Sequence, residues 1–129
     1  MPQAQNITVK NGTALDKTFE LVTPAAGDGG VAQWALKSGP YSAAFTTFTA
    51  SATKTSNRSR KLQTRLTIPS LSSDGLGGTI VGPAALVAVT VSIPATWPEN
   101  MKDDLVAFYA NLANHSLVKA MVRDAYSAT

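Results

Sequence analysis

The chain has 129 residues, enough for one domain with a real core, and it holds no cysteine and a single histidine, His115. Those counts exclude disulfides, thiolate chemistry, zinc-thiolate and iron–sulfur sites, and any multi-histidine metal centre. Charged residues make up 15% and hydrophobic ones 44%, a globular balance, and the net charge of +3 is concentrated in residues 54–65, where Lys54, Arg58, Arg60, Lys61 and Arg65 stand without an acid. A cationic cluster on a near-neutral body points to a polyanion partner. The longest apolar run, residues 84–89, is too short to cross a bilayer, and no basic–apolar–cleavage pattern opens the chain, so no membrane partner and a reduced compartment are expected.

Up to about residue 94 the pattern is that of β-structure. Residues 7–10, then Asn11-Gly12, predict a hairpin with a two-residue turn and a return strand near 18–22. Residues 25–30 read as a glycine-rich loop and 31–36 as a short strand ended by Ser38-Gly39-Pro40. A long alternating strand follows, with Phe48, Ala50 and Ala52 on one side and Thr47, Thr49, Ser51 and Thr53 on the other. Residues 54–59 supply a turn. The returning strand puts Leu62, Thr64, Leu66 and Ile68 on one face and Lys61, Gln63, Arg65 and Thr67 on the opposite one. Period two with one apolar and one polar face predicts an antiparallel sheet covered on one side. Residues 70–83, with four glycines, predict a long loop, and alternation resumes over 86–93 until Pro94 and Pro98 end sheet pairing.

After Pro98 the period becomes helical. Met101, Leu105, Phe108 and Leu112 form one stripe, with Glu99, Asp103 and Asp104 in the first turns, where acids suit the helix dipole. Asn114-His115-Ser116 reads as a break and a new N-cap before a second helix over 117–126. The fold class is therefore α+β: an N-terminal hairpin, an antiparallel meander sheet and two C-terminal helices, one domain with a β part over 1–94 and a helical part over 99–126. One helix pair cannot cover the sheet and also bury Val106, Tyr109, Val118 and Val122, so a partner subunit is expected.

No catalytic constellation is present. Asp103 and Asp104 are adjacent and diverge on a helix, no Gly-x-Ser-x-Gly elbow occurs, and no glycine run continues into Gly-Lys-Ser/Thr, so neither an enzyme nor a cofactor or small-molecule substrate is expected. Trp34 and Trp97 read as core or interface anchors. The one constellation with chemistry is the cationic turn and strand. Alternation sets Lys61, Gln63 and Arg65 on the polar face with Thr49 and Ser51, cations for phosphates and hydroxyls or amides for base edges.

Three stretches carry a family resemblance. Gly30-Val31-Ala32-Gln33-Trp34, the run Ser56-Asn57-Arg58-Ser59-Arg60-Lys61 into Thr67-Ile68-Pro69, and Val91-Ser92-Ile93-Pro94 ahead of the helices together resemble the coat proteins of single-stranded RNA bacteriophages, the levivirus group. The resemblance implies an intertwined homodimer in which two five-stranded sheets join and each chain's helices clasp the other. It implies assembly of dimers into a small icosahedral shell, in the bacterial cytoplasm, as part of a virion. It further implies that the inner sheet face meets single-stranded genomic RNA, through Val31, Thr49, Ser51, Lys61, Gln63 and Arg65; the basic cluster itself adds Lys54 and Arg58 as expected RNA contacts. The loop before the last strand, with Leu71, Asp74, Gly75, Leu76, Gly77, Gly78 and Ile80, would make inter-dimer contacts, and Leu105, Phe108, Leu112, Leu117 and Met121 would pack the dimer helices. In well-known members the RNA face also binds one hairpin that represses replicase translation, an added role the resemblance extends to this chain. Where those members place Tyr, Asn and Glu toward RNA on the last strand, this chain has Leu86, Ala88 and Thr90. The alternative reading of the same features is a stand-alone dimeric RNA- or DNA-binding regulator without a shell. A pilus-like or adhesin module is a third, disfavoured by the clustered basic face.

Overall fold

A computed structural model of the chain describes residues 2–37, 39, 41–55 and 58–128. The order is β1 (Ile7–Lys10), β2 (Asp16–Thr23), β3 (Val31–Leu36), a 3-10 turn (Ser42–Ala44), β4 (Thr46–Lys54), β5 (Arg60–Ser73), β6 (Thr79–Ile93), a second 3-10 turn (Glu99–Met101), α1 (Lys102–Asn114) and α2 (Ser116–Asp124). The chain divides into two compact units, one up to Ala95 and one from Thr96 onward.

The first unit is a six-stranded antiparallel sheet in sequence order, β1 to β6, where the resemblance implied five: the N-terminal hairpin supplies two strands by pairing onto β3, and β3 to β6 supply four. Register follows the alternation. Thr49 faces Arg65, Ser51 faces Gln63 and Thr53 faces Lys61, so the polar side chains of β4 and β5 share one face. The other parity, Phe48 with Leu66 and Ala52 with Leu62, makes the apolar face. Trp34 is its anchor: only 8% exposed, it packs on Phe48 at 5.5 Å between ring centroids and donates its indole N–H to the Gln5 carbonyl at 2.7 Å. Ala32, Ala35, Ala44 and Thr46 are also buried, but no large side chain among the described residues is fully buried, and Leu62, Ile68 and Val87 stay open in the single chain.

Two expectations are corrected. The first turn is not a two-residue Asn-Gly turn. Lys10 pairs with Asp16, and five residues, 11–15, close the hairpin with Ala14 at φ 61°. The Asn11 side chain sets the geometry, its Oδ1 accepting from the Thr13 and Leu15 amides at 3.0 Å each. Nor are residues 70–83 a long loop. β5 runs to Ser73 and β6 starts at Thr79, with Leu71 facing Val81 and Ser72 facing Ile80. The proline and glycine punctuation is absorbed by a register shift between Pro69 and Leu71, where the Ser70 hydroxyl donates to the Pro83 carbonyl at 2.8 Å. Only residues 74–78 form the turn.

In the second unit, α1 begins after the 3-10 turn and ends at His115, which caps α2: the Leu117 amide donates to His115 Nδ1 at 3.1 Å. Ala125 ends α2 in the left-handed conformation at φ 52°. Phe108 is 68% exposed in the single chain, and Leu112 and Leu117 are exposed with it, while Leu105 and Met121 are half-buried.

Candidate nucleic-acid interface

Strand parity assembles the polar face. β5 contributes Lys61, Gln63 and Arg65, β4 contributes Thr49, Ser51 and Thr53, and β3 adds Val31 opposite Ser51 and Gln33 opposite Thr49. β6 completes it with Ser92 opposite Lys61, Thr90 opposite Gln63 and Ala88 opposite Arg65. Six of the expected RNA-binding residues, Val31, Thr49, Ser51, Lys61, Gln63 and Arg65, are thus brought to one surface. Four residues of strand separate Lys61 from Arg65, about 13 Å. That exceeds the Debye length of about 8 Å at physiological salt, so each cation acts as an independent point of attraction.

The cationic cluster does not stay together. Arg60 pairs with Lys54 in the ladder, one step out of phase with Lys61, which puts both on the opposite face of the sheet and corrects the placement of Lys54 beside the RNA residues. Arg58 lies in the turn at the end of the sheet, with φ 61°. The expected turn around it includes Ser56 and Asn57, which lie outside the described residues. Arg60 is neutralised: its Nη2 meets Asp28 Oδ1 at 2.7 Å, and Asp28 Oδ2 also accepts from the Lys54 amide at 3.2 Å. The Gly29 amide donates to the Ala52 carbonyl at 2.8 Å, so the loop before β3 is stitched to the β4 end. Elsewhere on the sheet Lys10 pairs with Asp16 and Lys37 with Glu20, each at 2.9 Å. Lys61 and Arg65 have no carboxylate partner among the described residues. They are the charges this face has to offer.

Asp28 was missed from sequence. It stands in a glycine-rich loop 32 residues from Arg60, and no local pattern links the two. Gln33 and Ser92 were also outside the expected site, though alternation alone places them on the face.

The expected inter-dimer residues sit on the β5–β6 hairpin, Leu71 and Ile80 in its strands and Asp74, Gly75, Leu76, Gly77 and Gly78 in its turn. Asp74 Oδ1 accepts from the Leu76 amide at 2.7 Å and the Gly78 amide at 2.9 Å, and these two bonds, the Leu76 one first, hold its carboxyl below the usual carboxylate range. Leu76 projects at the tip, 91% exposed. The Tyr41 hydroxyl donates to the Thr79 carbonyl, next to the turn of the same hairpin. No group of three or more His, Cys, Asp or Glu side chains among the described residues could hold a metal ion.

The model of the levivirus coat protein family matches residues 2–128. Among solved structures, the chain resembles that of the virus-like particle of bacteriophage NT-214, at 24% identity and TM-score 0.86, with 99% of this chain and 100% of that one covered. The virus-like particle of Beihai levi-like virus 21 matches at 18% identity and TM-score 0.84, covering 99% of each chain. The protein capsid of bacteriophage GA matches at 19% identity and TM-score 0.70, covering 95% of each. At such identities the likeness establishes the fold. No curated protein sequence matches.

Proposed function

The chain belongs to the levivirus coat protein family, and from that premise we propose that it acts by forming a homodimer, assembling into an icosahedral shell and lining the interior with its polar sheet face against single-stranded genomic RNA. A capsid role and a place in the virion follow from the family. The observation that carries the finer reading is the division of the sheet into two unlike faces. One bears two cations, unpaired among the described residues, amid hydroxyls and amides, and the other is apolar and open in the single chain. Val87, 45% exposed, and the neighbouring apolar positions of β6 lie on an edge strand of fifteen residues, a surface that in isolation invites pairing with another chain. A second copy, pairing there and laying its Phe108, Leu112 and Leu117 side chains over apolar surface, would satisfy both needs. The dimer in turn doubles the cationic face, which suits a polyanion lining.

The test is expression of the full chain followed by sedimentation and negative-stain microscopy. Particles containing RNA are expected, with dimers and no stable monomer after disassembly. Replacing Lys61 and Arg65 together with alanine should leave the dimer folded. It should also lower the salt-dependence slope of RNA binding by up to about 1.4 per chain, one phosphate contact for each cation. RNA-free dimers that never form particles would favour the shell-less regulator.

A further inference from the structure

We propose that the polar face takes the phosphodiester backbone of single-stranded nucleic acid and reads no bases, an inference that rests on the proposed function of that face. Strand parity names the residues of the face, Thr23, Val31, Ala35 and Thr47 among them. From the outer hairpin come Thr8, Lys10, Asp16, Thr18 and Glu20; the middle strands bring Gln33 and the Thr49–Ser51–Thr53 row; the last two strands add Lys61, Gln63, Arg65, Thr67, Leu86, Ala88, Thr90 and Ser92. None of these is aromatic. The aromatic side chains of the sheet belong to the other parity: Phe19 lies one residue from Glu20, and Trp34 and Phe48 pack against each other on the apolar face. Base recognition on a sheet depends on rings that hold splayed bases by stacking, and this face has no such platform.

The charges agree with that reading. Lys10, Asp16 and Glu20 are consumed in ion pairs, which leaves the outer hairpin end of the face neutral and confines the attraction to Lys61 and Arg65. Among the described residues neither makes a side-chain hydrogen bond or ion pair that would aim it at a base edge, and a cation on a phosphate carries no sequence information. Gln33 and Gln63 carry amides long enough to meet a base edge, but without a ring to hold the base in place such a contact selects weakly, and the remaining side chains are short. Thr, Ser and Ala rise too little from the sheet to enter between bases, and Leu86, 57% exposed, offers apolar contact without direction. Selection of one hairpin for translational repression is therefore not a property of this face.

The experiment is fluorescence anisotropy with the full-chain protein below its assembly concentration and labelled 20-nucleotide oligomers of uridine, adenosine and cytidine, with the deoxy form of each. Affinities within about threefold of one another, with one common salt slope, are expected. A preference of tenfold or more for any base overturns this inference and leaves the proposed function standing. Failure of every oligomer to bind at low salt overturns the proposed function and this inference with it. A gain-of-function arm makes the mechanism explicit. Leu86→Tyr supplies the missing ring at an open position and should tighten adenosine binding about tenfold relative to uridine. If Leu86→Tyr leaves the two equal, the absence of a stacking platform is not what governs base selectivity, and the inference fails.

Discussion

The turn over residues 11–15 and the turn over residues 74–78 share their hydrogen-bond closure, differ in backbone at the second residue, where Gly75 alone has positive φ, at 79°, and have almost nothing in common as sequence. In each, the amide of the first residue donates to the carbonyl of the fifth, Asn11 to Leu15 at 2.9 Å and Asp74 to Gly78 at 3.2 Å. In each, the side-chain Oδ1 of the first residue accepts from the amides of the third and fifth. The fourth residue has positive φ in both, 61° at Ala14 and 86° at Gly77. The difference lies in what the turns display. The first caps itself with a neutral amide and carries Thr13 at its centre, whereas the second uses a carboxylate and pushes out Leu76. A short acceptor at the first position closes both turns, and the third position, which carries Thr13 in one and Leu76 in the other, is left free to serve other ends.

The largest expected effect separates those ends. Leu76→Asp should abolish particles or change their size, as should deletion of residues 74–79, while the dimer stays folded and competent for RNA. Thr13→Asp at the equivalent position of the first turn should leave assembly untouched. Particle size by negative stain and sedimentation decides it, and normal particles from Leu76→Asp would reduce the second turn to a spacer.

The caps themselves should respond differently to acid. The Asp74 carboxyl is depressed below its ordinary value of 3.8 by hydrogen bonds that exist only in the folded turn. Its contribution is fully present above that ordinary value and is lost as pH falls through the depressed one. The Leu76 and Gly78 amide proton shifts should therefore titrate with a midpoint below 3.8, whereas those of Thr13 and Leu15, held by the Asn11 amide, should not move. Asp74→Asn should remove the titration and keep the turn.

The smallest effect concerns the fourth position. Ala14→Gly should raise stability by about 0.5–1 kcal/mol, because glycine adopts that backbone at no steric cost, and Gly77→Ala should lower it by about the same amount. Nothing lies within 4 Å of a Cβ at Gly77, so the backbone alone sets that cost. Thermal midpoints of the two variants, moving in opposite directions, are the measurement.

These turns also mark how far the chain could be read before folding. β3 was legible to the residue, because Gly30 and the Ser38-Gly39-Pro40 punctuation bracket an apolar run. The helices were legible from Met101, Leu105, Phe108 and Leu112, and so was the cap at His115. Residues 70–83 were misread because Gly82-Pro83 signals a loop locally, yet in the sheet those residues fall at a register shift that tolerates both. The first turn was misread because Asn-Gly favours a two-residue turn only when the strands pair directly beside it, and here Lys10 pairs with Asp16 instead.

By itself the sequence determined the two faces of the sheet and their chemistry. Alternation is a consequence of strand geometry, so Lys61, Gln63 and Arg65 share a side whatever else the chain does. Tertiary structure decided which charges remain available. Arg60 and Asp28 meet across 32 residues at 2.7 Å, and Lys54 falls on the other parity once its pairing with Arg60 is set. Such a meeting depends on where the β2–β3 loop returns to the sheet, which no local pattern encodes. Five cations close together in sequence thus become two open ones on the polar face, because Coulomb attraction follows distance in space and not along the chain.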